Sequence, residues 1–122
     1  MLNKIMLIGN LGKDPDMNVT TEGTPFTRFS LAVNRRSKSS SGERQDETEW
    51  FNVVAWRQLA EVCNTYLTEG SKVYIEGRVQ QRKYTGKDGV ERMAFDVIAR
   101  EVEFLSGKQQ GSTEADLGEE FP

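Results

Sequence analysis

Apolar and polar positions alternate with a period of two along most of this chain and change to helical spacing once. Residues 4–12 form an apolar run broken by Gly9-Asn10 and followed by Gly12-Lys13-Asp14-Pro15, which predicts a strand with a bulge or sharp bend and then a turn. A second turn at residues 21–24 leads into a half-buried strand over residues 25–35. There Thr27, Phe29, Leu31 and Val33 share one face and Arg28, Ser30, Ala32 and Asn34 the other. Residues 37–46, with Ser39-Ser40-Ser41-Gly42 in the middle, read as a flexible polar loop, too long for a simple hairpin and so a candidate for function. A third strand resumes over residues 48–56.

Residues 58–68 switch period, placing Leu59, Val62, Cys63, Tyr66 and Leu67 on one side of a helix of about three turns that Gly70 is placed to end. Alternation returns over residues 72–84, with Val73, Ile75, Gly77 and Val79 facing inward. A hairpin loop at residues 85–89 follows, then a fifth strand with Met93, Phe95, Val97 and Ala99 on one face. From residue 106 onward the periodicity is lost to Gly, Gln, Ser and Glu, a composition that cannot bury enough surface to fold alone. The expected organisation is an all-β domain with one helix over residues 1–105 and a flexible acidic tail over residues 106–122. Three strands, a helix and two strands (β-β-β-α-β-β) is the order of the five-stranded OB-fold barrel, which holds oligonucleotides or oligosaccharides on an open face.

Charge changes the picture only when divided along the chain. The net charge is −3, but residues 106–122 carry one base, Lys108, and four acids, Glu114, Asp116, Glu119 and Glu120. That leaves 15 of the 16 bases and 15 of the 19 acids to residues 1–105, so the acidity belongs to the tail. A neutral domain still binds phosphates if its bases gather on one face. There is no histidine, which removes the commonest general base and metal ligand, and a single cysteine, Cys63, which excludes an internal disulfide. No cofactor and no metal are expected. The absence of a long apolar run or a leader-like start points to a protein of the cytoplasm, without a membrane partner.

On the third strand Trp50, Asn52, Val54 and Trp56 share a face opposite Phe51, Val53 and Ala55. The second set makes an adequate core stripe, leaving the two tryptophans, about 20 Å apart, free to face outward. Trp50, Trp56 and Tyr84 are then candidate platforms for unpaired bases, which stack without regard to sequence. The alternative is that one tryptophan plugs the barrel or a subunit contact. Around the aromatics lie candidate phosphate-binding cations: Lys13, Arg35, Arg36, Lys38, Arg57, Lys72, Arg78, Arg82 and Lys83. The recurring pairing of aromatic and base, Trp56-Arg57 and Arg82-Lys83-Tyr84, raises this reading above that of solvated surface charge.

Four separated segments carry a resemblance: residues 3–15 (NKIMLIGNLGKDP), 48–56 (TEWFNVVAW), 59–62 (LAEV) and 70–77 (GSKVYIEG). Together they closely resemble the bacterial single-stranded DNA-binding protein family, over residues 3 to about 105. The resemblance implies a homotetramer of OB-folds, associated with the nucleoid, that wraps single-stranded DNA in replication, recombination and repair, with base-stacking aromatics at the positions of Trp50, Trp56 and Tyr84. It also implies partner proteins that recognise the acidic tail, here through Asp116, Glu119, Glu120 and Phe121. Two departures stand out. Ser37 occupies a corner where family members often carry a fourth aromatic, and the chain ends Phe121-Pro122 where the family's usual tip is Pro-Phe.

Tyr74 and Glu76, exposed opposite the core face of their strand, are the candidate subunit contact. Two other classes of function compete: an OB-fold adaptor that binds proteins, with the tryptophans as interface hot spots, and an enzyme. The enzyme has little behind it, with no Gly-rich phosphate loop and no metal-ligand spacing.

Overall fold

The computed structural model describes residues 1–38 and 40–105. Its elements are β1 (Ile5–Leu11), β2 (Asp16–Val19), β3 (Pro25–Lys38), β4 (Arg44–Trp56), α1 (Gln58–Tyr66), β5 (Lys72–Thr85) and β6 (Glu91–Phe104). The hydrogen-bonded order is β1-β5-β6-β4-β3-β2, and an additional β1–β3 pairing closes the ring. Every neighbour is antiparallel except β4 and β6, which run parallel through Asn52↔Asp96, Val53↔Val97 and Val54↔Ile98. The five strands β1, β3, β4, β5 and β6 thus form the closed OB-fold barrel. The sixth, β2, is an addition to the expected order, a four-residue fringe on β3 whose residues are all exposed.

Period-two patterning is what makes the barrel. Thr27, Phe29 and Leu31 of β3, Val53 and Ala55 of β4, Val73 and Ile75 of β5 and Val97 and Ala99 of β6 all point into one core. Each fully buried Leu, Ile or Val there contributes about 1.5–3 kcal/mol. The helix closes one end with Ala60 and Cys63, and Leu67 follows in extended conformation. The buried Thr27 hydroxyl donates to the Ala60 carbonyl at 2.7 Å, fastening α1 to β3 without leaving a polar atom unpaired. Tyr66, expected on the apolar side of the helix, is instead exposed, because the helix ends at that residue; its ring lies 6.0 Å from that of Phe104.

The bend expected at Gly9 is where β1 crosses β3: a β-carbon there would collide with the Ala32 carbonyl oxygen. Closure itself rests on Asn10↔Ala32 and Leu11↔Leu31.

Half of the polar segment expected to be a loop, Ser37, Lys38 and residues 44–46, is ribbon. β3 and β4 stay in register from Phe26↔Trp56 out to Lys38↔Arg44. Beyond the barrel its two faces both meet water, and cross-strand polar pairs replace apolar ones. Arg35 lies opposite Glu47, Arg36 opposite Asp46, and the Thr48 hydroxyl donates to Asn34 Oδ1 at 2.8 Å. A second arm, β5–β6, stays paired to Thr85↔Glu91. Met93 and Phe95 carry the inward parity but project past the barrel and are exposed, Phe95 by 56%. The expected tail over residues 106–122, with Asp116, Glu119, Glu120 and Phe121, lies outside the described residues, as does Ser39.

Candidate nucleic-acid interface

One outward face runs across β3, β4, β6 and the part of β5 beyond the bulge at Glu76/Gly77, because there the register joins even-numbered residues to even-numbered residues. Phe26↔Trp56, Arg28↔Val54, Ser30↔Asn52 and Ala32↔Trp50 set the first seam. Asn52↔Asp96 and Val54↔Ile98 set the second, and Gln80↔Asp96, Arg82↔Ala94 and Tyr84↔Arg92 the third. Side chains alternate across a strand, so Trp50, Trp56 and Tyr84 all emerge on the same side. Their exposures of 60%, 40% and 42% leave ring surface open on each.

Each ring is held differently. Trp50 leans on Gly12, where only a glycine leaves room for it. Trp56 packs against Phe26 with ring centroids 5.1 Å apart and planes tilted by 36°. Over Phe26, in turn, lies the guanidinium of Arg28, its Cζ 5.7 Å from the ring centroid. Tyr84 has the guanidinium of Arg82 over it at 5.8 Å. Between the levels of Trp50 and Trp56 a shallow cleft of about 190 Å³ is lined by Lys13, Asp14, Asp16, Arg28, Ser30 and Asn52.

The candidate cations divide. Lys13 and Arg78 are exposed, the first at the cleft and the second on the outward parity of β5. Arg57 follows Trp56 directly, exposed and with a φ of +59°, rare for a side-chain-bearing residue. Arg35 and Arg36 are not free: they pair with Glu47 at 2.6 Å and Asp46 at 3.6 Å, exposed ion pairs that cost little to exchange for phosphate.

Arg82 is committed more deeply. Its Nε and a terminal nitrogen reach the two carboxylate oxygens of the buried Asp96 at 2.9 and 3.3 Å, which raises its already high pKa. Lys83 takes the opposite parity and faces away from Tyr84, beside Met93, because neighbours in a strand point to opposite sides. Lys72 lies at the other end of β5, opposite Asn10 and next to the Val73↔Phe104 pair, away from the tryptophans.

Two members of this face, Phe26 and Arg28, are not among the site candidates the sequence offers, although its alternation already sets Arg28 opposite the core stripe. Arg28 shares the outward parity of Ser30, while Phe26, the second residue of its strand, is set beside Trp56 by the register.

A second exposed surface covers β1 and the start of β5. Met6 lies opposite Glu76 and Ile8 opposite Tyr74, both apolar side chains being more than half exposed. The Tyr74 hydroxyl donates to Glu76 at 2.8 Å and the Lys4 ammonium approaches the same carboxylate at 3.3 Å. Both hold Glu76 below the usual carboxylate range, while the shared hydrogen bond raises the Tyr74 hydroxyl. On neighbouring β6 a hydrogen bond with Glu103 pushes the Glu101 carboxyl up.

Among the described residues no group of three or more acids and cysteines could hold a metal ion, and no helix is long and apolar enough to cross a membrane. Burial pushes the Cys63 thiol up to about 11, so it is neutral at physiological pH.

Known proteins are similar to this chain in both fold and sequence. A single-stranded DNA-binding protein of Neisseria meningitidis serogroup A is 44% identical over 111 residues, covering 91% of this chain and 64% of that protein. Single-stranded DNA-binding protein 1 of Chlorobaculum tepidum is 41% identical over 116 residues, covering 94% of this chain and 72% of that one. The chain therefore spans between about three-fifths and three-quarters of the length of these relatives. Among solved structures, the Plasmodium falciparum SSB complex with ssDNA superposes with a TM-score of 0.80 at 30% identity, over 87% of this chain and 96% of that one. The profile of the single-strand binding protein family matches residues 2–105, nearly all of the described barrel and its arms, and the chain belongs to that family.

Proposed function

We propose that this chain binds single-stranded DNA without sequence preference, stacking unpaired bases on Trp50, Trp56 and Tyr84 while cations track the phosphates. The observation that carries this is the common face. Three aromatics from two strands, well separated in sequence, emerge together on one sheet surface, and exposed rings of that size are costly in water unless they meet a partner. Phe26 supports Trp56 from below, and Lys13, Arg28, Arg57 and Arg78 are the cations best placed for phosphate; Arg35 and Arg36 contribute by exchanging their carboxylate partners. The family is one of DNA-binding proteins and not of enzymes.

The proposal extends to assembly and partners. A barrel with Met6 and Ile8 exposed beside Tyr74 and Glu76 suits a homotetramer with that surface at a subunit contact. The acidic segment around Asp116, Glu119, Glu120 and Phe121 suits basic pockets on replication, recombination and repair proteins, its charges steering the encounter and the aromatic supplying buried area.

Titrating intrinsic tryptophan fluorescence with an unpaired oligonucleotide, and separately with duplex, tests the central claim. Stacking on Trp50 and Trp56 quenches emission with the single strand and much less with the duplex. An adaptor that binds only proteins responds to neither.

A further inference from the structure

Asp96 is the one buried carboxylate among the described residues, 5% exposed, and it lies on the outward parity of β6 and not on the core side. A carboxylate out of water without compensation is strongly disfavoured. Its compensation is Arg82, two residues along β5 from its direct partner Gln80, which approaches both carboxylate oxygens in a fork at 2.9 and 3.3 Å. The same guanidinium lies over the ring of Tyr84, with Cζ 5.8 Å from the centroid. Arg82 therefore has one side tied to a buried anion and another against an aromatic, and its charge is largely neutralised before any ligand arrives.

We propose that Asp96 is a positioning residue for Tyr84, holding Arg82 as a backing for the ring. This rests on the reading of Tyr84 as a base platform. Three consequences follow from the geometry. Tyr84 stands on an arm whose residues are largely exposed, and the forked ion pair ties the guanidinium over its ring to the buried Asp96. Arg82 does not count among the released counterions that set the salt dependence of binding. Loss of Asp96 also acts through Tyr84, and has no effect on DNA binding once that ring is gone.

The test is a double-mutant cycle on the full chain, using a fluorescently labelled oligo-dT read by anisotropy, with Asp96→Asn, Tyr84→Ala and both together, across a range of salt. Asp96→Asn in the wild-type background is expected to weaken binding about two- to fivefold, the affinity ratio of a partly exposed cation–π contact, with an unchanged salt slope. In the Tyr84→Ala background the same substitution is expected to change nothing. Equal losses in both backgrounds, or no loss in either, overturn the proposal. So does tighter binding with a slope steeper by about 0.7, which is what one freed phosphate contact on a single strand adds. If circular dichroism shows Asp96→Asn to be unfolded, the joint replacement Arg82→Met with Asp96→Leu removes the pair without stranding a charge, and the same cycle is read from it. A wild-type chain that fails to bind the oligonucleotide defeats the DNA-binding reading itself, an outcome separate from all of these.

Discussion

Trp50 rests its six-membered ring on the backbone of Gly12: a β-carbon at that glycine would stand 2.5 Å from Cζ3 and 2.8 Å from Cη2. Gly12→Ala is therefore expected to push the indole aside at little cost to the fold, since the displaced atoms are the free end of an exposed side chain. Tryptophan emission should shift and single-strand affinity should fall, with the thermal midpoint nearly unchanged. A variant with native emission and native affinity would show that the contact between Gly12 and Trp50 does not set the platform.

Trp56→Ala is expected to weaken binding to unpaired DNA by about 1–3 kcal/mol, the usual value of a lost base stack, while the barrel stays folded. The ring is 40% exposed and its packing is with Phe26, not with the core. Equilibrium binding beside a denaturant melt checks both halves. A collapsed melt would reassign Trp56 to structural support.

Arg57 pays for its position between β4 and α1 with a φ of +59° and ψ of −126°, a conformation that a β-carbon disfavours. Arg57→Gly should stabilise the fold by about 1 kcal/mol, the lower end of such strain, whereas Arg57→Ala should not. Both should bind single strands more weakly and with a shallower salt slope. Urea melts of the two variants separate backbone strain from side-chain charge; equal midpoints would mean that no strain is stored there.

Ile8→Lys places a charge on the apolar side chain opposite Tyr74. Sedimentation equilibrium at micromolar concentration should report a tetramer for the native chain and a smaller species for the variant. A monomeric native chain of 13.8 kDa would remove this surface as a subunit contact.

Deleting residues 112–122 removes Glu114, Asp116, Glu119 and Glu120. Affinity for single strands should stay equal or rise slightly at low salt, the difference fading as salt screens the charges, while capture of repair and replication proteins is lost. Weaker DNA binding after truncation would contradict the assignment of repulsion to these acids.

The core was legible because burial imposes a period of two. Thr27, Phe29, Leu31, Val53, Ala55, Val73 and Ile75 follow it, and the outward position of Trp50 and Trp56 follows by exclusion. The ribbon of residues 36–38 and 44–47 was not, since a strand wet on both faces has no apolar rhythm to betray it, and Arg35–Glu47 leaves no mark in composition. Cation roles were the least legible. Lys83 and Arg82 are adjacent in sequence, yet one faces away from Tyr84 and the other is claimed by Asp96, a partner 14 residues distant that only the β5–β6 register supplies. Phe26 was hidden for the same reason, its neighbour Trp56 being thirty positions away.

The barrel is held shut between β1 and β3 by Asn10↔Ala32 and Leu11↔Leu31, with the Gly12 amide donating to the Ser30 carbonyl at 3.0 Å just beyond. So short a seam is where native-state hydrogen exchange should find its first sub-global opening, well below the free energy needed to unfold β3 from β4. Trp50 pairs with Ala32 on one side of that seam and leans on Gly12 on the other, so its indole bridges the join like a latch. When the seam parts, the latch loses its rest, and a base stacked on the ring would protect the Gly12 amide from exchange although it never touches it.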